Sequence, residues 1–215
     1  MTGKDKRTGQ DLVYICTGTI VKVNKILTAA HCVNRMYLDW ENPWISIRTG
    51  QNPTSDDPRF TISTVSWDAE FTGDWPKGHD FAVITLSSNT SGVTPIPVSR
   101  HRLEIKHLGS YLRITGYGRT SPGDVASGGT KRYADVGLGG LSEKTFTAGT
   151  NMPSTDPRAQ TICYGDSGGP ALADLGSGTE VIGVTSYTVN NCQEGWHVRT
   201  DTADATSFLK SAGVL

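Results

Sequence analysis

Eight residues, Cys163-Tyr164-Gly165-Asp166-Ser167-Gly168-Gly169-Pro170, constrain this chain more than any other stretch. They put one hydroxyl, Ser167, among residues with little or no side-chain bulk. Glycines on either side tolerate dihedrals that other residues avoid and let a carbonyl group approach the backbone closely. A serine presented this way suits a nucleophile with its own anion-binding N–H groups. A Gly-rich turn with an incidental serine is the plainer reading, and a Gly-Asp-Ser-Gly fragment alone would leave it standing. Two other stretches supply what a serine hydroxyl lacks. It is a weak nucleophile at neutral pH and needs a base beside it. Leu27-Thr28-Ala29-Ala30-His31-Cys32 offers His31, and the small residues before it let the imidazole sit tightly against a neighbour. The base needs an acid to fix its tautomer and stabilise the imidazolium. His79-Asp80-Phe81-Ala82-Val83-Ile84-Thr85-Leu86 offers Asp80 at the mouth of an apolar run.

Asp80 lies 49 residues beyond His31, and Ser167 a further 87. In this order and spacing the three stretches resemble the His, Asp and Ser motifs of the chymotrypsin/trypsin-like serine proteases. The resemblance runs from about Tyr14 to the end of the chain. It implies an all-β fold of two six-stranded antiparallel β-barrels, with the active site in the cleft between them and a closing C-terminal helix. A stretch rich in Ser, Thr, Gly and Pro at 87–97 separates the two halves, 1–98 carrying His31 and Asp80, and 99–215 carrying Ser167. The implied catalytic residues are His31, Asp80 and Ser167, and the implied oxyanion donors are the N–H groups of Gly165 and Ser167. The implied reaction is peptide-bond hydrolysis through an acyl-enzyme, on a protein or peptide substrate, with no metal or organic cofactor. A zymogen-like or non-catalytic binding protein on the same fold is the alternative. An esterase of the α/β-hydrolase type fits less well, because its triad runs Ser, Asp, His and its serine sits in a strand–turn–helix setting.

Four cysteines allow three pairings. The resemblance implies Cys16–Cys32, tying the segment before the histidine to the histidine loop, and Cys163–Cys192, tying the serine loop to the far wall of the substrate pocket. Two disulfides imply an oxidising compartment, hence a secreted or periplasmic protein; four buried free thiols in a cytosolic protein are the competing picture. The 20 basic and 21 acidic residues balance, which argues against a nucleic-acid or polyanion binder. No apolar run reaches the length of a membrane span, and a monomer is expected. The first ten residues are polar and lack a signal-peptide core, so either a leader has been removed or the numbering begins at an introduced methionine.

The resemblance also assigns the substrate pocket. Thr161 takes the floor, Ser186, Tyr187 and Thr188 the segment that pairs with the substrate backbone, and Gly195 the opposite wall, with His197 close to the base. Thr161 is neutral and Thr188 narrows the entrance, so a small or medium uncharged residue is expected before the cut. The family's usual activation frees an Ile-Val-Gly-Gly-like N-terminus whose amine pairs with the acid before the nucleophile, here Asp166. No such motif occurs in this sequence. Three explanations compete: a lost N-terminus, a zymogen-like protein, or an internal cation that satisfies Asp166, with Arg113 the candidate.

The remaining polar residues have plain readings. His79, His101, His107 and His197 are surface or packing histidines, and no His-x-x-x-His or Cys-x-x-Cys spacing suggests zinc. Asp56-Asp57 before Pro58 reads as a solvated turn rather than a calcium site. Asn89-Thr90-Ser91 is a glycosylation sequon. Residues 1–11 should be poorly ordered. Strands are expected at 12–21, 44–48, 60–65, 81–86, 111–118, 133–141 and 145–150, a hairpin from 170–172 and 181–186, and a partner strand at 196–199, from β-branched enrichment, alternation and turn signals. A helix is expected at 202–212, with Phe208 and Leu209 on its apolar side. A short helical turn follows His31.

Overall fold

The structure, a computed structural model, describes residues 2–5, 11–44, 46–54, 59–149, 155–156 and 159–215. The Asp56-Asp57-Pro58 turn, Ile45 of the expected 44–48 strand, and Thr150 lie outside the described residues. In chain order the elements are β1 (Thr2–Asp5), β2 (Asp11–Val13), β3 (Thr19–Lys22), β4 (Lys25–Thr28), α1 (Ala30–Asp39), β5 (Trp40–Trp44), β6 (Ile62–Trp67), β7 (Ala82–Leu86), β8 (Tyr111–Gly116), β9 (Arg132–Leu141), β10 (Thr145–Ala148), β11 (Pro170–Asp174), β12 (Thr179–Val189), β13 (Glu194–Arg199) and α2 (Ala203–Ser211). The second half closes into a six-stranded antiparallel barrel, β10-β13-β12-β11-β8-β9. In the first half the described strands form a four-stranded sheet, β3-β4-β7-β6, and a three-stranded sheet, β2-β1-β5.

β7 is central because nearly every residue in it is buried and both its edges are paired, to β4 and to β6. β8 shows the other pattern: Leu112 and Ile114 point into the barrel while Tyr111 and Arg113 point out. The barrel core gathers Leu112, Ile114, Val136, Phe146 and Ile182. A second cluster joins Leu27 and Val83 of the first sheet to Val181 and Val184 of β12, Val198 of β13 and Leu209 of α2, so one apolar core runs across the junction. Phe208 of α2 stacks on Phe81 with ring centroids 6.4 Å apart. Thr202 caps α2, its hydroxyl accepting from Ala205 N at 3.2 Å. Both implied disulfides, Cys16–Cys32 and Cys163–Cys192, are present. Among the described residues no helix is long and apolar enough to cross a membrane.

Three local expectations change. Residues 2–5 form a strand, since backbone pairing with β2 and β5 needs no apolar side chains. The single strand expected over 12–21 is interrupted at 14–18. There the backbone serves the serine loop instead of a neighbouring strand: Thr17 N donates to Ser167 O at 2.8 Å, and Thr17 Oγ1 to Gly165 O at 3.0 Å. The turn after His31 is a ten-residue helix that begins one residue before it.

Candidate active site

His31 leaves β4 as the second residue of α1, and Ala29 and Ala30 beside it are fully buried. Asp80 lies two residues before β7 and is itself fully buried. A tight turn sets it there, with Phe81 N donating to His79 O at 2.8 Å and His79 at φ 65°. The Asp80 carboxyl is satisfied on every side. Oδ1 accepts His31 N at 2.9 Å, and Oδ2 accepts His31 Nδ1 at 2.8 Å and Ser186 Oγ at 2.6 Å. A carboxylate can only accept, so this arrangement puts the proton on Nδ1 and leaves Nε2 as the basic nitrogen. Ser186 belongs to β12, so the second half completes the cage around an acid of the first.

Ser167 is brought to the same place by its backbone. Its carbonyl accepts Thr17 N, and Cys32 Sγ, in the residue after His31, lies 3.6 Å from the same oxygen. Gly168, at φ 82°, packs so closely on the first sheet that a Cβ there would lie 2.1 Å from Thr28 Oγ1. Gly165 has φ 104°. The Tyr164 carbonyl is held by Arg119 N at 2.9 Å, so across that trans peptide the Gly165 N–H points the opposite way. Among the described residues neither Gly165 N nor Ser167 N has a protein acceptor. Such a pair can receive a developing oxyanion.

Asp166 corrects an expectation. Arg113 does not reach it: Arg113 faces out from β8, pairs with Asp135 through Nε at 2.7 Å and Nη2 at 2.8 Å, and lies over the Tyr133 ring. The alternation that sends Leu112 and Ile114 inward forces this. Asp166 accepts Gly118 N and Cys163 N instead, each at 2.8 Å. Its carboxyl is cradled where side chains on Gly116 and Gly118 would collide with it. Burial pushes its pKa above the usual carboxylate range, opposed by those two N–H groups and by the charge of Arg132.

The expected pocket residues lie on or against β12 and β13. Thr161 Oγ1 faces Gly195 so closely that a Cβ on the glycine would sit 2.5 Å from it. Thr188, opposite Gly195 in register, donates through Oγ1 to Glu194 O at 2.8 Å. Ser186 sends its hydroxyl to Asp80 rather than toward the pocket. Tyr187 stacks on Trp196 with centroids 5.7 Å apart. Trp75, absent from the expectations, meets the His31 ring edge-on at 4.9 Å and lies 6.0 Å from Tyr187. It sits in a one-turn helix, Trp75–Lys77, in an irregular loop. No periodicity in the letters distinguishes it from any other loop aromatic. Cys16, His31 and Cys32 cluster closely, but both sulfurs are in one disulfide and offer no thiolate to a metal.

His197 is a packing histidine, as expected. It is fully buried, stacks on Phe146 at 5.1 Å and approaches Thr185 Oγ1 with Nδ1 at 3.2 Å. Burial pushes its pKa down to about 3. The unfolded imidazole titrates near about 6.5. Between these values the unfolded chain holds one more proton, so stability falls as pH drops through that window, by about 1.4 kcal/mol per pH unit. In urea unfolding at about pH 4.5–5.5, the stability of His197→Gln is expected to change with pH by a slope smaller by about one proton. An unchanged slope would mean the imidazole is charged in the fold. His79 is more engaged than a surface histidine: Nδ1 meets Asp68 at 2.8 Å, and Lys144 Nζ lies 3.1 Å from Nε2.

A closed β-barrel packed on a second β-sheet, with a buried Asp–His pair against a glycine-flanked serine, defines the trypsin-like serine protease fold. The chain belongs to the Trypsin family, whose model matches residues 2–209. It is similar to phenoloxidase-activating factor 1 of Holotrichia diomphalia, with 27% identity over 85% of this chain and 57% of that protein. It is also similar to CLIP domain-containing serine protease B4 of Anopheles gambiae, with 26% identity over 83% of this chain and 56% of that protein. The chain thus spans little more than half the length of these relatives. Among solved structures, neuropsin, a serine protease expressed in the limbic system of mouse brain, has a TM-score of 0.71 at 22% identity, covering 93% of this chain and 89% of its own.

Proposed function

We propose that this chain is a secreted serine endopeptidase with His31, Asp80 and Ser167 as its catalytic residues. The observation that carries the reading is the fully enclosed Asp80–His31 pair, held at 2.8 Å with Ser186 closing the cage, set against the backbone of Ser167. Ser167 Oγ attacks the scissile carbonyl while His31 Nε2 takes its proton. The C–O bond that forms makes a tetrahedral oxyanion, received by the N–H groups of Gly165 and Ser167. Donors of this kind contribute roughly 2.7–4 kcal/mol each. The C–N bond then breaks, His31 returns the proton to the leaving amine, and water hydrolyses the acyl-enzyme by the same sequence. The halves 1–98 and 99–215 each supply part of the machinery. The disulfides, and the extracellular character suggested by the family, support secretion.

Thr161 at the pocket floor and Thr188 at its entrance support a small or medium uncharged residue before the cut. A peptide panel cleaved fastest after Arg or Lys would remove this finer reading and leave the reaction standing. The reaction itself is tested by a fluorophosphonate probe on the parent and on Ser167→Ala. Labelling of the parent alone is expected. A well-folded parent that does not label would favour a non-catalytic or zymogen-like protein.

A further inference from the structure

Two consecutive amides of the segment after β8 grip the serine loop. Gly118 N donates to Asp166 Oδ1 at 2.8 Å, and Arg119 N donates to Tyr164 O at 2.9 Å. The first holds the residue before Ser167, and the second sets the peptide that aims the Gly165 N–H. Both depend on the course of the chain from Gly118 to Thr130, which carries only a 3₁₀ turn, Val125–Ser127, and surface hydrogen bonds. One side chain ties this segment together. Arg132, the first residue of β9, donates through Nη1 to Ser127 O at 2.7 Å and to Gly118 O and Thr130 O, each at 3.3 Å. Gly129 N closes the same loop onto Tyr117 O at 2.8 Å. Among the described residues Arg132 makes no ion pair, and its charge acts on Asp166.

We infer that Arg132 is the positioning residue of the serine loop: by drawing together the carbonyls of Gly118, Ser127 and Thr130 it presents the Gly118 and Arg119 amides that fix Asp166 and the Gly165 N–H. The inference rests on the reading of Ser167 as nucleophile for its effect on rate, but not for the coupling of Arg132 to Asp166. All three contacts leave from Nη1, one arm of a planar, always charged guanidinium whose rigid frame fixes the direction of its N–H groups. A lysine would keep the charge with a less defined geometry.

Two measurements test it. In urea unfolding of Arg132→Gln, Asp166→Asn and the double variant, the midpoint shift of the double is expected to be smaller than the sum of the single shifts. Removing the guanidinium loosens the Gly118 segment whose amide Asp166 Oδ1 accepts, so once asparagine has weakened that hold the second substitution has less to lose. Additive shifts would overturn the inference. If Arg132→Gln does not fold, the same cycle is run with Arg132→Lys. In fluorophosphonate labelling, Arg132→Gln is expected to react at least tenfold more slowly than the parent, and Arg132→Lys to recover to within about threefold. Labelling of Arg132→Gln at the parental rate would overturn the inference. A parent that does not label would end the proposed reaction but not this coupling, which the unfolding cycle still decides.

Discussion

Asp80→Asn is expected to lower the rate of fluorophosphonate labelling by about 10⁴-fold while leaving the unfolding transition cooperative. The reason lies in the three donors that converge on this carboxyl: His31 N, His31 Nδ1 and Ser186 Oγ. An asparagine can keep its oxygen toward the backbone N–H of His31, but its NH₂ then faces the imidazole. Nδ1 must become the acceptor, the proton moves to Nε2, and the ring no longer has a basic nitrogen to offer Ser167. The Ser186 hydroxyl can rotate to accept from the new amide, so the fold keeps a satisfied interior. Equal labelling of parent and variant would show that His31 takes no proton from the serine.

The largest effect on stability is expected from Gly168→Ala. The residue has φ 82°, where a Cβ is strained, and that atom would lie 2.1 Å from Thr28 Oγ1, 2.4 Å from Thr17 O and 3.0 Å from Ala29 N. Two of these, Thr17 O just before β3 and Ala29 N just after β4, are backbone atoms that a side-chain rotation cannot clear. Left-handed strain of about 1–3 kcal/mol and overpacking of about 1–3 kcal/mol add to about 2–6 kcal/mol. At this chain length each kcal/mol lowers Tm by about 2–4 °C. Gly176→Ala is the control: its φ is 111°, and nothing lies within 4 Å of the would-be Cβ. It carries strain without collision, and its Tm should fall by clearly less. Similar losses in both variants would mean that the contact between the serine loop and the first sheet is soft.

The site was legible in the sequence where chemistry is written in short runs. Asp80 and His31 meet as their motifs imply, because an acid ahead of a buried strand and a histidine after small residues can pack together without side-chain bulk between them. The helix at 202–212 was legible through the apolar side that Phe208 and Leu209 give it. Arg113 was misassigned to Asp166, although the letters held the correction. Leu112 and Ile114 flank it, and in a strand the residue between two inward-facing neighbours must face out. Its partner Asp135 lies opposite it on β9. Arg132, Thr17 and Trp75 could not have been singled out, since each reaches a residue more than ten positions away, Gly118, Gly165 and His31 respectively, through contacts that no local pattern encodes.

By itself the sequence determined the residue types of the candidate site and their order, because the nucleophile, base and orienting acid that the proposed reaction requires can be met by only a few side chains. It also determined the strand pattern, since alternation and turn residues act within a few positions. Tertiary structure alone decided which groups satisfy the buried charges: Ser186 for Asp80, and the amides of Gly118 and Cys163 for Asp166. It decided as well that residues 14–18 serve the serine loop instead of extending a strand. Hydrogen bonds and desolvation act over about 3 Å in space whatever the separation along the chain, so these partners become defined only when the two halves close on one another.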